Sequence, residues 1–523
     1  MFKGFFKLLR HAVSSAGTIS LLGLANSANS SPLITLDGPS PFATCDVSRE
    51  EGDNYLNAEV EPWVDVNPAD SDNLIAGWQQ DRWSNGGARG LMSAYSTDGG
   101  KSWKRVVVPG IGKCSSPKNG GFAYDRNSDP WVTFAADGTA YFNSLAFFND
   151  RPDGGGGINA ILVNRSIDGG KTWGPPQVLI RDTDGRAFND KNAMSADPND
   201  AKFIYVVWDR LFDTLLPAAR KVHGDAAADA RDRRLARHNR TATTARPSGW
   251  YVGPTWIARS INGGASWEPA SKIFNPGVNA QTIGNQAVVL NDATVLVFYM
   301  EITADGRTYI GFLKSNDHGA RFTPGRRAVK AEVTLHGTRT PDLREPVRDA
   351  NILFDVAIDR GNGNLYLVWQ DGRELGLDRV AFSMSTDNGV SWSTPAIINK
   401  TPASGRNFRN QAFVPSVEVG SNGRVHVTYY DFRNDLTDGR ELADYWAISC
   451  DFAATGDCET KTGWGRERRL TDQSFDMLDA PIARGHFLGD YMGLVKQGSA
   501  GVRAVFGIAV SDNVNQMVTR LLP

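Results

Sequence analysis

The sequence is poor in cysteine and histidine, and neither sign of charge dominates it. Of 523 residues, four are Cys and seven are His, and 56 Lys plus Arg nearly cancel 58 Asp plus Glu, for a formal net charge of -2. That balance gives no basic footprint, so no nucleic-acid partner is expected. His318, His336, His426 and His486 are scattered, and no Cys/His spacing suits zinc, so neither a metal nor another cofactor is expected. Beyond the N-terminus no stretch is apolar enough for a membrane helix.

The first thirty residues differ from the rest. Lys3, Lys7 and Arg10 precede a mostly apolar run from Ala12 to Ala25, then small residues including Ser27, Ala28 and Ser30. This reads as a signal peptide over residues 1–30, which implies a secreted, extracellular or periplasmic protein, free of the membrane after cleavage. An even cysteine count fits an oxidising compartment. Cys450 and Cys458 flank a short insertion and are expected to clip it; Cys45 and Cys114 would then pair and pin the N-terminal segment.

What the chain has in abundance is turns, with 54 Gly, and aromatic plugs, with 14 Trp. One phrase recurs: STDGGKSW (Ser96 to Trp103), SIDGGKTW (Ser166 to Trp173), SINGGASW (Ser260 to Trp267), SNDHGARF (Ser315 to Phe322) and STDNGVSW (Ser385 to Trp392). A sixth, split copy runs from Ser449 to Trp464. Its Ser and Asp bond nearby backbone N–H groups, its glycines accept positive φ, and its aromatic packs under a hairpin, so the phrase reads as a structural turn. Each copy lies between the third and fourth of four short strands; in the first repeat these are Pro62 to Val66, Asn73 to Gln80, Leu91 to Ser96 and Ser102 to Val108. After the sixth repeat YMGLVKQG, VRAVFGIAV and QMVTRLL read as three further strands, and the N-terminal PLITL (Pro32 to Leu36) is the candidate fourth. The expected fold is all-β: a closed β-propeller of four-stranded antiparallel blades, seven blades favoured and six the alternative, in one domain over residues 31–523. An Ala- and Arg-rich insertion at 211–253 is either a solvated excursion or a lid.

The phrase resembles the Asp-box (BNR) repeat of the sialidase-like propellers. DPWV (Asp129 to Val132), FNDK (Phe188 to Lys191) and GDY (Gly489 to Tyr491) resemble stretches of secreted members of that class. The resemblance implies a glycan partner and a glycosidase, exo-sialidase or related, acting on exposed sugars, with a lyase or a non-catalytic binding propeller as alternatives. A monomer is expected. The arginine pattern that sialidases carry near their start is missing.

Strands alternate up and down, so the phrases occupy one face and the second-to-third loops the other. Those loops repeat an Asp–Arg motif: Asp81 and Arg82, Asp209 and Arg210, Asp371 and Arg373, Asp431 and Arg433. Inner strands begin with an acid or amide: Glu61, Asp129, Asp190, Gln286, Asp349, Gln411 and Asp490. Asp129, Asp190 and Asp431 are the candidate acids and bases, and Tyr430 the candidate nucleophile, a role the resemblance suggests. Arg82, Arg126, Arg210, Arg373 and Arg433, with Asp81, Asp209 and Asp371, are the candidate substrate-binding groups. Each Asp–Arg pair reads equally as an ion pair that holds its own loop.

Overall fold

A computed structural model describes residues 31–522 apart from 37, 48–50, 117–123, 149–157, 184, 214–250, 375, 403–407 and 437. The expected signal peptide and nearly all of the 211–253 insertion lie outside the described residues. No described helix is long and apolar enough to cross a membrane.

The chain is all-β. Among the described residues the pairing resolves into seven antiparallel sets of four strands. The first comprises Glu59–Val66, Leu74–Arg82, Ala88–Ser96 and Lys104–Val107. The next five follow in order, and their inner strands are Arg126–Phe134, Ala187–Ala196, Ala280–Val289, Phe354–Ile358 and Ala412–Val419. The seventh comprises Gly493–Gln497, Gly501–Ser511 and Val514–Leu522, and its fourth strand is the N-terminal Ile34–Thr35. There Ile34 faces Thr519 and Thr35 faces Val518, and Leu36 N–H donates to Met517 O at 2.8 Å.

Fully buried tryptophans on second strands, Trp78, Trp208 and Trp369, fill the space between sets. Packing is tight enough that a Cβ on Gly77 would sit 2.6 Å from the Phe142 ring of the next set. Side chains also tie one inner strand to the next. Asp65 accepts from Phe134 N–H at 2.7 Å, Ser195 donates to Ala287 O at 2.6 Å, and Gln286 donates to Phe354 O at 2.9 Å. Asp355 accepts from Val417 N–H at 2.9 Å, and Ser416 donates to Met492 O at 2.9 Å.

The repeated phrase is a stapled turn. In the first copy Ser96 Oγ accepts from Gly100 N–H at 2.8 Å, and Asp98 accepts from Ser102 N–H at 2.9 Å and from Ser102 Oγ at 2.5 Å. Trp103 Nε1 closes the turn on Gly100 O at 3.2 Å. Asn262 accepts from Ser266 N–H in the same way. Two disulfides are present, Cys45–Cys114 and Cys450–Cys458.

Candidate functional site

Register places the two kinds of loop at opposite ends of the strands. Leu74 faces Ser96 at the phrase end, and Arg82 faces Ala88 at the other. Leu365 and Ser385, then Asp371 and Arg379, repeat the arrangement in the fifth set. Asp98 and Asp387 therefore lie away from Asp81 and Asp371.

Five inner strands carry a bulge at the same place, with register shifts at Val60/Trp63, Ser128/Trp131, Asp190/Ala193, Ile283/Gln286 and Phe413/Ser416. The residue at its turn has positive φ each time: Glu61 56°, Asp129 50°, Lys191 48°, Gly284 64° and Val414 50°. Only one of these is glycine. Such backbone costs on the order of 1–3 kcal/mol for an ordinary residue and re-aims the side chain.

Three re-aimed side chains meet. Lys191 Nζ lies 3.5 Å from Glu61 Oε1, 3.3 Å from Asp129 Oδ1 and 2.6 Å from Asp490 Oδ2. Arg348 grips Asp490 from the other side, Nε to Oδ1 at 2.9 Å and Nη2 to Oδ2 at 2.5 Å. Gln79 donates to Glu61. Beside them Trp63 stacks on Trp131, with Tyr491 edge-on to Trp63 at 5.9 Å. Tyr491 donates to Pro130 O at 3.1 Å. A cavity opens against this group, lined by Trp63, Trp131, Lys191, Tyr491 and Asp490 together with Asp349, Asp355, Gln286 and Gln370.

Burial and neighbouring charge set the protonation. Burial pushes Glu61 up to about 8, Lys191 pulls it back, and Asp490 and Asp129 add to the rise. Burial works against ionised Asp490, but Arg348 and Lys191 outweigh it and hold the group well below the usual carboxylate range. Burial likewise opposes the Lys191 cation, and Asp129, Asp490 and Glu61 more than restore it. Burial takes Asp355 up to about 7 against hydrogen bonds from Val417 and Val356. One cavity thus faces carboxyl groups displaced in opposite directions.

The structure brings Asp129 and Asp190 to this cluster. Asp209 joins them: it faces Asp190 across the strand pair, and burial raises it well above its usual range. The remaining candidates are elsewhere. Tyr430 is fully buried between the sixth and seventh sets, donating to Gly507 O at 2.7 Å, so no substrate reaches it. Asp431 is spent on Thr401 at 2.7 Å and Arg433 at 2.5 Å. Asp371 takes Trp369 Nε1 at 2.9 Å and Arg373 at 2.5 Å. Asp81 holds the N-terminal segment, through Ser40 at 2.6 Å and Asn57 N–H at 2.8 Å.

The candidate arginines are spent locally too. Arg82 donates to Gln79 at 2.6 Å and packs over Phe487. Arg126 reaches Asn85 at 2.9 Å and Gly86 O at 2.8 Å over the Trp83 ring. Arg210 pairs with Asp182 between Phe212 and Trp256. Arg373 keeps to Asp371, and Arg433 bonds Asp431 and Glu467 over Trp446. None lines the cavity. Sequence reasoning missed Lys191, Arg348, Trp63, Trp131 and Tyr491. The available signal was the doubled acid–Pro–Trp–Val of Glu61 to Val64 and Asp129 to Val132.

Residues 94–105 match the BNR/Asp-box repeat family model. The chain thus carries a BNR/Asp-box repeat. Among solved structures it is similar to a protein of unknown function from Dyadobacter fermentans, at 12% identity over 90% of this chain and 97% of that one, TM-score 0.43. It is similar to the Hadza microbial sialidase Hz136, at 14% identity over 86% and 76%, TM-score 0.43. A third is the α-L-arabinanase of Penicillium chrysogenum complexed with arabinobiose, at 13% identity over 77% and 94%, TM-score 0.43. No curated protein matches the chain.

Proposed function

We propose that the seven sets close into a β-propeller and that its central cavity is the site of an exported glycoside hydrolase acting on exposed sugars of glycans. Closure is supported by the side-chain ties between successive inner strands. It is supported also by the meeting of Asp490, Glu61, Asp129 and Lys191, which come from the seventh, first, second and third sets. Export is supported by the two disulfides, which suit an oxidising compartment.

The observation that carries the hydrolase reading is the split in protonation around one cavity. Asp490 faces it as a carboxylate, fixed by Arg348 and Lys191. Asp355 lines it too, as a carboxyl that burial raises to about 7. Glycoside hydrolysis needs that pair: one group protonates the leaving oxygen while the other meets the developing charge or activates water. Glu61, behind Asp490, stays protonated at neutral pH and keeps its negative charge off the cluster.

The test is release of aryl alcohol from a panel of aryl glycosides by the protein and by Asp490→Asn and Asp355→Asn. Turnover is expected, with each variant slower by about a hundredfold or more and sugar binding retained. Turnover unchanged in both variants refutes the assignment. Sugar binding without turnover on any substrate favours a non-catalytic binding propeller, which the complete burial of Glu61 behind Lys191 would also suit.

A further inference from the structure

We infer that the cavity selects neutral sugars and rejects those that carry a carboxylate; the inference rests on the carbohydrate reading above. A sugar carboxylate is held by cations with donors to spare. Among the described residues Lys191 is the single basic side chain that lines the cavity, against three acids, Asp349, Asp355 and Asp490. Lys191 is itself held by Glu61, Asp129 and Asp490. Arg348 directs both Nε and Nη2 at Asp490. An incoming carboxylate would have to displace a buried carboxylate from its partners or sit unpaired beside it. Either course costs far more than a hydroxyl pays.

The same walls suit a neutral sugar. Hydroxyls need acceptors and amides, and the lining includes Asp349, Asp355, Gln286 and Gln370, each oriented by hydrogen bonds to the protein. Sugar rings also present a face of C–H groups, and the lining includes Trp63, Trp131 and Tyr491.

The experiment is titration calorimetry of the disulfide-intact protein with matched oligosaccharides: a galactoside against its sialylated form, and a glucan fragment against the corresponding glucuronan. The neutral member of each pair is expected to bind, and the carboxylated member to bind at least about tenfold more weakly. Equal or tighter binding of the carboxylated members overturns the inference, and so does binding of neither. Neutral binding with no turnover removes the hydrolase assignment and leaves this inference standing.

Discussion

Trp63 lies flat against Trp131, ring centroids 3.5 Å apart and planes 22° from parallel. Each follows an acid and a proline, Glu61–Pro62 and Asp129–Pro130, and each acid holds positive φ. The strained acids and the stacked indoles are therefore one device. Trp131→Ala is expected to cost about 3–5 kcal/mol, by cavity formation and loss of the stack. Chemical denaturation checks it, and a midpoint shift worth under about 1 kcal/mol would refute the packing argument.

Lys191→Met removes the cation but keeps most of the volume. It leaves Asp129 and Asp490 short of compensation in a buried site, and a loss of about 3–5 kcal/mol at neutral pH is expected. The Lys191 pKa is raised above its ordinary 10.5, so its stabilisation is fully present below that pH and fades only under strong alkali. The wild type should therefore show no loss from this group between neutrality and pH 10. Equal stability of Lys191→Met and wild type at pH 7 would show that the cluster does not depend on its cation.

The interior carboxyl groups give stability an unusual pH trend. Glu61 rises from 4.5 to about 8, Asp355 from 3.8 to about 7, Glu418 from 4.5 to about 7 and Asp65 from 3.8 to about 6, burial being the largest cause for all four. Between these limits the folded chain holds protons that the unfolded chain has released, so stability falls as pH rises. Asp98 has the opposite sign. Hydrogen bonds from Ser102 and Ser96 outweigh burial and take it from 3.8 down to about 2, so its contribution is lost only in acid. Maximum stability is expected near about pH 4 to 5. Guanidinium midpoints measured from pH 4.5 to 8.5 should decline, and less steeply in Glu61→Gln. A midpoint that climbs from pH 5 to 8 contradicts the assignment.

The repeated turns test the separation of the two faces. Asn262 already stands where four intact copies have Asp, and it accepts from Ser266 N–H at 2.9 Å. Asp387→Asn should therefore be nearly neutral, whereas Asp387→Ala should cost about 1–2 kcal/mol by orphaning Ser391 N–H and Ser385 Oγ. Neither change should alter sugar binding. Altered binding in a stably folded Asp387→Ala would place the site on the wrong face.

The two disulfides should differ in worth. Cys45–Cys114 closes a separation of 69 residues and Cys450–Cys458 one of 8. On chain entropy the first is worth about 4 kcal/mol and the second about 2.5 kcal/mol. Paired Cys→Ser variants compared by thermal unfolding should rank in that order, and the reverse ranking would exclude the loop-closure account.

Repeating local chemistry was legible in the sequence. The phrase marks each third-to-fourth turn, and the strand patterns locate the sets because burial on both faces enforces them. Even the pairing of PLITL with the last strand follows from a set left one strand short. The site was half legible. Acids at the inner strands pointed to Glu61, Asp129 and Asp490, but the bulge puts Lys191, not Asp190, at the position equivalent to Glu61. Register is a tertiary property, and a one-residue slip changes which side chain faces the cluster. In the Asp–Arg motif, residues two apart, such as Asp431 and Arg433, satisfy each other within their own loop. A linear pattern does not distinguish that from convergence on a shared pocket.

Ile34 and Thr35 pair with Val518 and Thr519, almost the whole chain away. Synthesis delivers the amino end first, so these two residues wait for nearly every other residue before their partners exist. The last sheet is then the last to assemble, and a late nonsense mutation strips the opening segment of its anchor.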